Sequence, residues 1–223
     1  MKKKELYTFI VDYFTRAMPV AASELNFRNT FELIVAVILS AQCTDKRVNL
    51  ITPALFEAYP SARAMAEASV EDIFALIRSV SYPNAKASHL SLMARALVER
   101  HAGEVPSTRG ELEALSGVGR KTASVVLAVG FGANEIAVDT HVFRVARRIG
   151  LTKATTKTPL DTERQLVEGF ALVEHTTPNL LGTAHHWLIL HGRYQCTARR
   201  PSCQTCPLKS VCAYYTQNAK EKQ

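Results

Sequence analysis

Two groups of residues in this chain have types and spacings that could do chemistry. The first is the run Leu115-Ser116-Gly117-Val118-Gly119-Arg120-Lys121-Thr122, followed eighteen residues after Lys121 by Asp139 in Val138-Asp139-Thr140-His141. Glycines two residues apart permit a tight turn and leave backbone N–H groups facing outward with no side chain in the way. At the positive end of a following helix, such amides suit a phosphate. A plain corner between two helices would use the same glycines, so the turn alone does not establish a ligand. Lys121 adds weight. The helix dipole and the adjacent Arg120 both oppose a positive charge there. A purely structural design would avoid that placement, whereas a nucleophilic amine would use it. Asp139 can handle protons or balance a developing positive charge. It can equally cap the helix that Val138-Asp139-Thr140-His141 opens, and the two roles are compatible because a capping carboxylate is held rigidly.

The second group is cysteine. Four of the five cysteines form Cys196-x6-Cys203-x2-Cys206-x5-Cys212. All-cysteine coordination suits either an iron–sulfur cluster or structural zinc, and spacing alone does not choose between them. Arg199 and Arg200 lie between the first two ligands. Cys43 is placed on a buried apolar helix, where it is expected to behave as a small hydrophobe.

The chain has 223 residues, with 27 Lys and Arg against 20 Asp and Glu, a net charge of +7. That length makes one large domain or two small ones. The basic balance suits a polyanionic partner. Met1-Lys2-Lys3-Lys4 leads into Glu5 and Asp12 with no apolar signal region, and the longest apolar run, 33–39, is too short to span a bilayer. A soluble intracellular protein is expected. Its cysteines should therefore be metal ligands or free thiols rather than a disulfide framework.

The elements that must position these residues read as helices throughout, since no stretch alternates over a useful length. Leu6, Phe9, Ile10, Tyr13, Phe14 and Ala17 share one helical face. Residues 31–42 are apolar nearly all round. Their β-branched content could suggest a strand, but their length favours a buried helix. Thr44 and Asp45 open a helix through Tyr59; Ser69 with Asp72, and Thr108 with Glu111, form capping boxes. The turn Ser81-Tyr82-Pro83-Asn84 precedes a helix ending at Gly103. Asp139 starts a helix that stops at Gly150. Thr158-Pro159 and Thr177-Pro178 each read as an N-cap followed by proline at the first helical position. The last helix is expected to end at His191-Gly192, the stretch Gly150–Lys157 reads as the only linker, and the tail after Tyr215 as frayed.

The segment around Gly117, Gly119, Lys121 and Asp139, together with the cysteine pattern, resembles the helix-hairpin-helix DNA glycosylases, and within them the endonuclease III family. The similarity runs from about Glu24 to Cys212. It implies an all-α fold of two helical subdomains with a DNA-binding cleft: residues 23–133 as a helical barrel with the hairpin at about 108–130, and residues 1–22 with 134–223 carrying the iron–sulfur loop 196–212. Lys121 and Asp139 would face each other across the cleft. The resemblance implies that Lys121 attacks the sugar C1′ with Asp139 assisting, that a Schiff base forms, and that β-elimination cuts the strand on the 3′ side. The substrate would be double-stranded DNA with oxidised or ring-damaged pyrimidines or abasic sites, and the protein a cytoplasmic, nucleoid-associated bacterial monomer with no membrane partner. Cys196, Cys203, Cys206 and Cys212 would hold a [4Fe–4S] cluster. Gly117, Gly119, Arg120, Arg199 and Arg200 would meet DNA phosphate. Gln42 and the loop bearing Tyr82 would fill the gap left by an extruded nucleotide, and Asp45 and His141 would border the pocket. Two rivals are an adenine-removing glycosylase of the same fold, which lacks the lysine, and a non-catalytic DNA-binding module with a metal staple. One loop departs from the family pattern of glycine, bulky apolar residue and aromatic before Asn-x-Lys. This chain has Ser81-Tyr82-Pro83 before Asn84-Ala85-Lys86.

Overall fold

The structure, a computed structural model, describes residues 1–220. Every regular element among them is a helix. The chain divides into two compact units, Ser23–Gly132 and Met1–Ala22 with Ala133–Gln223. Among the described residues no helix is long and apolar enough to cross a membrane.

The first unit holds α2 (Thr30–Ser40), α3 (Asp45–Ala58), α4 (Ala62–Glu67), α5 (Val70–Ile77), α6 (Pro83–His101), α7 (Arg109–Glu113) and α8 (Arg120–Gly130). Helix α2 is its axis. Residues 31–39 are all buried, because α3, α6 and α8 pack around α2. That enclosure is why an apolar, β-branched run adopts a helix: all its faces are covered, and a helix satisfies its backbone internally. The one acid in the run, Glu32, is 1 % exposed and receives the Arg28 guanidinium at 2.6 Å. Asn29, Thr44, Ser61, Ser69 and Thr108 cap α2, α3, α4, α5 and α7 through side-chain oxygens.

The second unit holds α1 (Lys3–Ala17), α9 (Thr140–Ile149), α10 (Pro159–Phe170), α11 (Leu180–Tyr194) and α12 (Ala213–Lys220). Tyr7, Ile10 and Phe14 of α1 pack with Val142, Leu166, Phe170, Trp187 and Leu208 in one core. Two polar contacts fix α1 there. The Tyr7 hydroxyl donates to the Leu151 carbonyl at 2.9 Å, and Trp187 Nε1 donates to the Met18 carbonyl at 3.0 Å.

Several expectations are corrected. Helix α4, capped by Ser61, was not anticipated. Thr177-Pro178 does not start α11. Asn179 does, in the left-handed region at φ 45°, its side chain accepting from Gly182 N. Asparagine tolerates that conformation, and its short amide reaches back to the first turn. Helix α11 also runs past Gly192 to Tyr194. A Cβ on Gly192 would stand 3.1 Å from His141 Cβ and Val145 Cγ2, so this glycine serves close packing on α9 rather than helix termination. Residues 150–157 are not a linker, since Leu151, Thr152 and Thr156 are buried and the Gln165 side chain bonds both Lys153 N and Thr156 Oγ1. The tail is not frayed at Tyr215: α12 continues to Lys220, with the Arg148 guanidinium 4.7 Å from the Tyr214 ring. Of that expected tail, residues 221–223 lie outside the described residues. Cys43 stands in the turn beyond α2, half-buried, rather than on the helix.

Candidate functional site

The glycine hairpin joins α7 to α8. Leu115 and Val118 are buried beneath it, and Val118 N donates to Leu115 O at 3.1 Å, which closes the turn. The two glycines have different reasons. Gly117 has φ +79°, and a Cβ there would meet His89 Cβ at 2.9 Å. His89, on α6, also bonds Ser116 Oγ at 2.9 Å, so the turn is seated on α6. Gly119 has an ordinary φ of −94°, and a Cβ there would meet nothing within 4 Å. The protein's own packing therefore does not need Gly119. What an absent side chain provides there is access to the backbone of the first turn of α8. That turn has no side-chain cap and no acidic residue. Its N–H groups and dipole are thus arranged for an anion from outside. Arg109 ties the two arms together by donating to Ser124 Oγ at 3.0 Å. Lys121 is exposed at the second position of α8.

Asp139 is the N-cap of α9. Its Oδ1 accepts from His141 N at 2.9 Å and Val142 N at 2.8 Å, and its Oδ2 is 3.0 Å from His141 Nδ1. Both carboxylate oxygens are therefore held by donors when His141 carries its proton on Nδ1. His141 orients the carboxylate. Thr140, between them, is exposed.

Gln42 and Tyr82 occupy two turns of the first unit, both exposed and both in the left-handed region, at φ 54° and 55°. Ser81 Oγ donates to the Gln42 carbonyl at 2.7 Å. Asp45 is the first residue of α3, where an acid complements the dipole. Lys86, whose importance the sequence did not announce beyond its place in Asn84-Ala85-Lys86, is 5 % exposed. Its ammonium donates to the carbonyls of Leu39 and Ala41, each at 2.7 Å, closing the C-terminus of α2 just before Gln42. Burial pushes the Lys86 pKa down, against an opposing influence of Cys43.

The four C-terminal cysteines line one pocket together with Ile149, His191 and Leu208. Thiols set around a common space fit a polynuclear cluster, whose irons take thiolates at separate corners. Burial pushes the Cys206 and Cys212 thiols up, and a bound metal centre would oppose that by favouring the thiolates. Two arginines one turn apart on α9 grip the loop. Arg144 donates to the Cys196 and Gly192 carbonyls, and Arg148 to the Thr197 and Ala198 carbonyls, with its NH1 3.5 Å from Cys196 Sγ. Sequence reasoning missed both, although their i, i+4 spacing on the helix that Asp139 caps was visible. Arg199 and Arg200 are exposed.

The structure thus gathers Gly117, Gly119, Arg120 and Lys121 in one hairpin and Gln42, Ser81 and Lys86 in one cluster of turns, both in the first unit. Asp139, His141 and the cysteines with their two arginines belong to the second.

Comparison with known proteins is consistent across sequence and structure. The family model described as HhH-GPD superfamily base excision DNA repair protein matches residues 35–171, and that for the iron–sulfur binding domain of endonuclease III matches 196–212. Endonuclease III of Rickettsia felis is 43 % identical over 206 residues, 92 % of this chain and 93 % of the relative. That of Escherichia coli K12 is 44 % identical over 196 residues, 88 % of this chain and 89 % of the relative. A solved structure of a trapped covalent intermediate of endonuclease III with DNA, an estranged-adenine complex, superposes with a TM-score of 0.89 at 38 % identity, covering 98 % of this chain and all of the other. A thermostable thymine-DNA glycosylase shares the fold, with a TM-score of 0.82 at 21 % identity over 96 % of this chain and 97 % of its own.

Proposed function

Since the chain belongs to the endonuclease III family, within the HhH-GPD superfamily of base excision DNA repair proteins, we propose that this DNA glycosylase is bifunctional: it removes oxidised or ring-damaged pyrimidines from duplex DNA and then cuts the strand as an AP lyase. Its cofactor is a [4Fe–4S] cluster. Lys121 is the nucleophile. Its amine forms a bond to the sugar C1′ as the glycosidic bond breaks, and the base leaves with the electron pair and a proton. Ring opening leaves an imine between Nζ and C1′. Loss of a C2′ proton then expels the 3′ phosphate, with the imine as electron sink, and water releases the lysine. Asp139 is the carboxylate that serves this exchange. Because its oxygens are committed to donors, it suits the balancing of positive charge at the sugar better than the acceptance of a proton.

One observation carries the reading: an exposed lysine one position inside a helix whose first turn offers its backbone to an anion. A phosphate bound there brings the adjacent sugar within reach of that amine. Gln42 and Tyr82 fill the vacated stack, Asp45 and His141 border the pocket, and Arg199 and Arg200 meet phosphate. Cys196, Cys203, Cys206 and Cys212 would hold the cluster, whose iron–thiolate bonds would fix the shape of the loop. The protein acts as a monomer.

The test is reductive trapping. Borohydride should join wild-type protein covalently to DNA carrying an abasic site, and Lys121→Ala should abolish the adduct while leaving DNA binding largely intact. Undiminished trapping by Lys121→Ala would exclude Lys121 as the nucleophile.

A further inference from the structure

Outside the reacting residues, the feature without an assigned purpose is the knot of bonds joining the Gln42 turn to the Tyr82 turn. Gln42 and Tyr82 both hold left-handed backbone conformations, at φ 54° and 55°. For residues with a Cβ this conformation is unfavourable, so the surroundings must enforce it. Three hydrogen bonds do. Lys86 Nζ, buried, takes the Leu39 and Ala41 carbonyls, and Ser81 Oγ takes the Gln42 carbonyl at 2.7 Å. The first two anchor both turns to the interior. The third ties one turn directly to the other, and a glycine at position 81 could not make it.

The outcome is a ring on a rigid mount. Tyr82 is 64 % exposed, an unusual place for a large aromatic. Its backbone is pinned on both sides, by the Ser81 bond before it and by Pro83 at the first position of α6 after it. Lys86 N also bonds the Tyr82 carbonyl at 3.1 Å. An exposed phenol ring carried on a fixed backbone loses no backbone freedom when it meets a planar partner face to face.

We propose that Ser81 is a positioning residue for Tyr82, and that Tyr82 stacks on the unpaired base of the strand opposite the extruded nucleotide, favouring a purine there. Stacking grows with the area of the base and ignores its hydrogen-bonding edge. The preference is therefore for orphaned adenine or guanine over cytosine or thymine. The inference rests on the assignment of Gln42 and Tyr82 to the gap in the DNA.

The experiment measures the dissociation constant of the cluster-containing protein for duplexes with a reduced abasic analogue opposite each of the four bases. Wild type should bind orphaned purines roughly threefold to tenfold more tightly than pyrimidines, since the larger ring adds only part of a full stacking contact. Tyr82→Leu, which keeps bulk without a ring face, should lose that ratio. Ser81→Ala should lose most of it, and Ser81→Thr, which keeps the hydroxyl, should restore it. A merely loosened fold would weaken all four duplexes together and leave the ratio unchanged. A ratio near one in wild type, or one undiminished in Ser81→Ala, overturns the proposal. Failure of the underlying reading is distinguishable: wild type would then bind abasic duplexes no better than intact DNA.

Discussion

Asp139 caps α9, and under the proposed function it also serves the sugar; mutation can separate the two duties. As an N-cap it is replaceable by asparagine at small cost, because an amide oxygen accepts the same backbone N–H bonds. As the proposed charge-balancing carboxylate it should not be replaceable. Asp139→Asn should therefore leave stability within about 0.5 kcal/mol of wild type and lower glycosylase turnover by roughly a hundredfold or more. Asp139→Ala should add a loss of about 1 kcal/mol from the missing cap. Denaturant unfolding alongside single-turnover kinetics checks both. Equal stability loss in the two variants would place the capping bonds elsewhere. At this scale the sequence was legible where chemistry and capping coincide. It was opaque at Lys86, since nothing in a lone lysine announces that its ammonium will be buried on two carbonyls 45 and 47 residues away.

The hairpin is the element whose two glycines look alike in sequence and differ in structure. Gly117→Ala must hold a methyl at φ +79° against His89, which should cost about 1–3 kcal/mol and disturb the turn. Gly119→Ala meets open space at an ordinary φ, so stability should change by no more than about 0.5 kcal/mol. Its methyl would project where an anion must approach the first turn of α8, and DNA affinity should fall severalfold. Thermal melts paired with binding isotherms separate the cases, and unchanged affinity in Gly119→Ala would argue against a phosphate at that turn. The departures between expected and observed elements have local causes. Thr177-Pro178 carried a start signal that Asn179 overrode by tolerating a left-handed backbone. Gly192 carried a stop signal, but its missing side chain serves the approach of α11 to α9.

At the scale of the molecule, net charge and the cluster govern behaviour. With +7 overall, affinity for DNA should fall linearly on a logarithmic salt scale. If Arg199 and Arg200 each meet a phosphate, Arg199→Gln and Arg200→Gln should each reduce the slope by about 1; an unchanged slope leaves them as solvated charges. Loss of the cluster should reach the core of the second unit, because Leu208, between the ligands Cys206 and Cys212, is fully buried there. Cys203→Ser should bleach the visible iron–sulfur absorption and lower the melting temperature by roughly 4–8 °C, the consequence of about 2 kcal/mol of lost apolar burial. An unchanged melt with a bleached spectrum would show that the loop packs without its cluster.

What the sequence determined by itself is the set of local codes: helix faces from the spacing of apolar residues, starts from Ser, Thr and Asp caps, the glycine turn before Lys121, and a four-cysteine pattern. These are legible because their physics acts within a few residues. What only the tertiary structure decided acts over distances the chain does not encode locally. The covering of α2 by three other helices settled helix against strand for residues 30–40. The four cysteines, spread over seventeen residues of sequence, came to line one pocket only in the fold. Arg144 and Arg148 became part of the iron–sulfur site by reaching a loop some fifty residues away. Ser81, which in sequence was only a lost glycine, gained a purpose when folding set its hydroxyl against the Gln42 carbonyl.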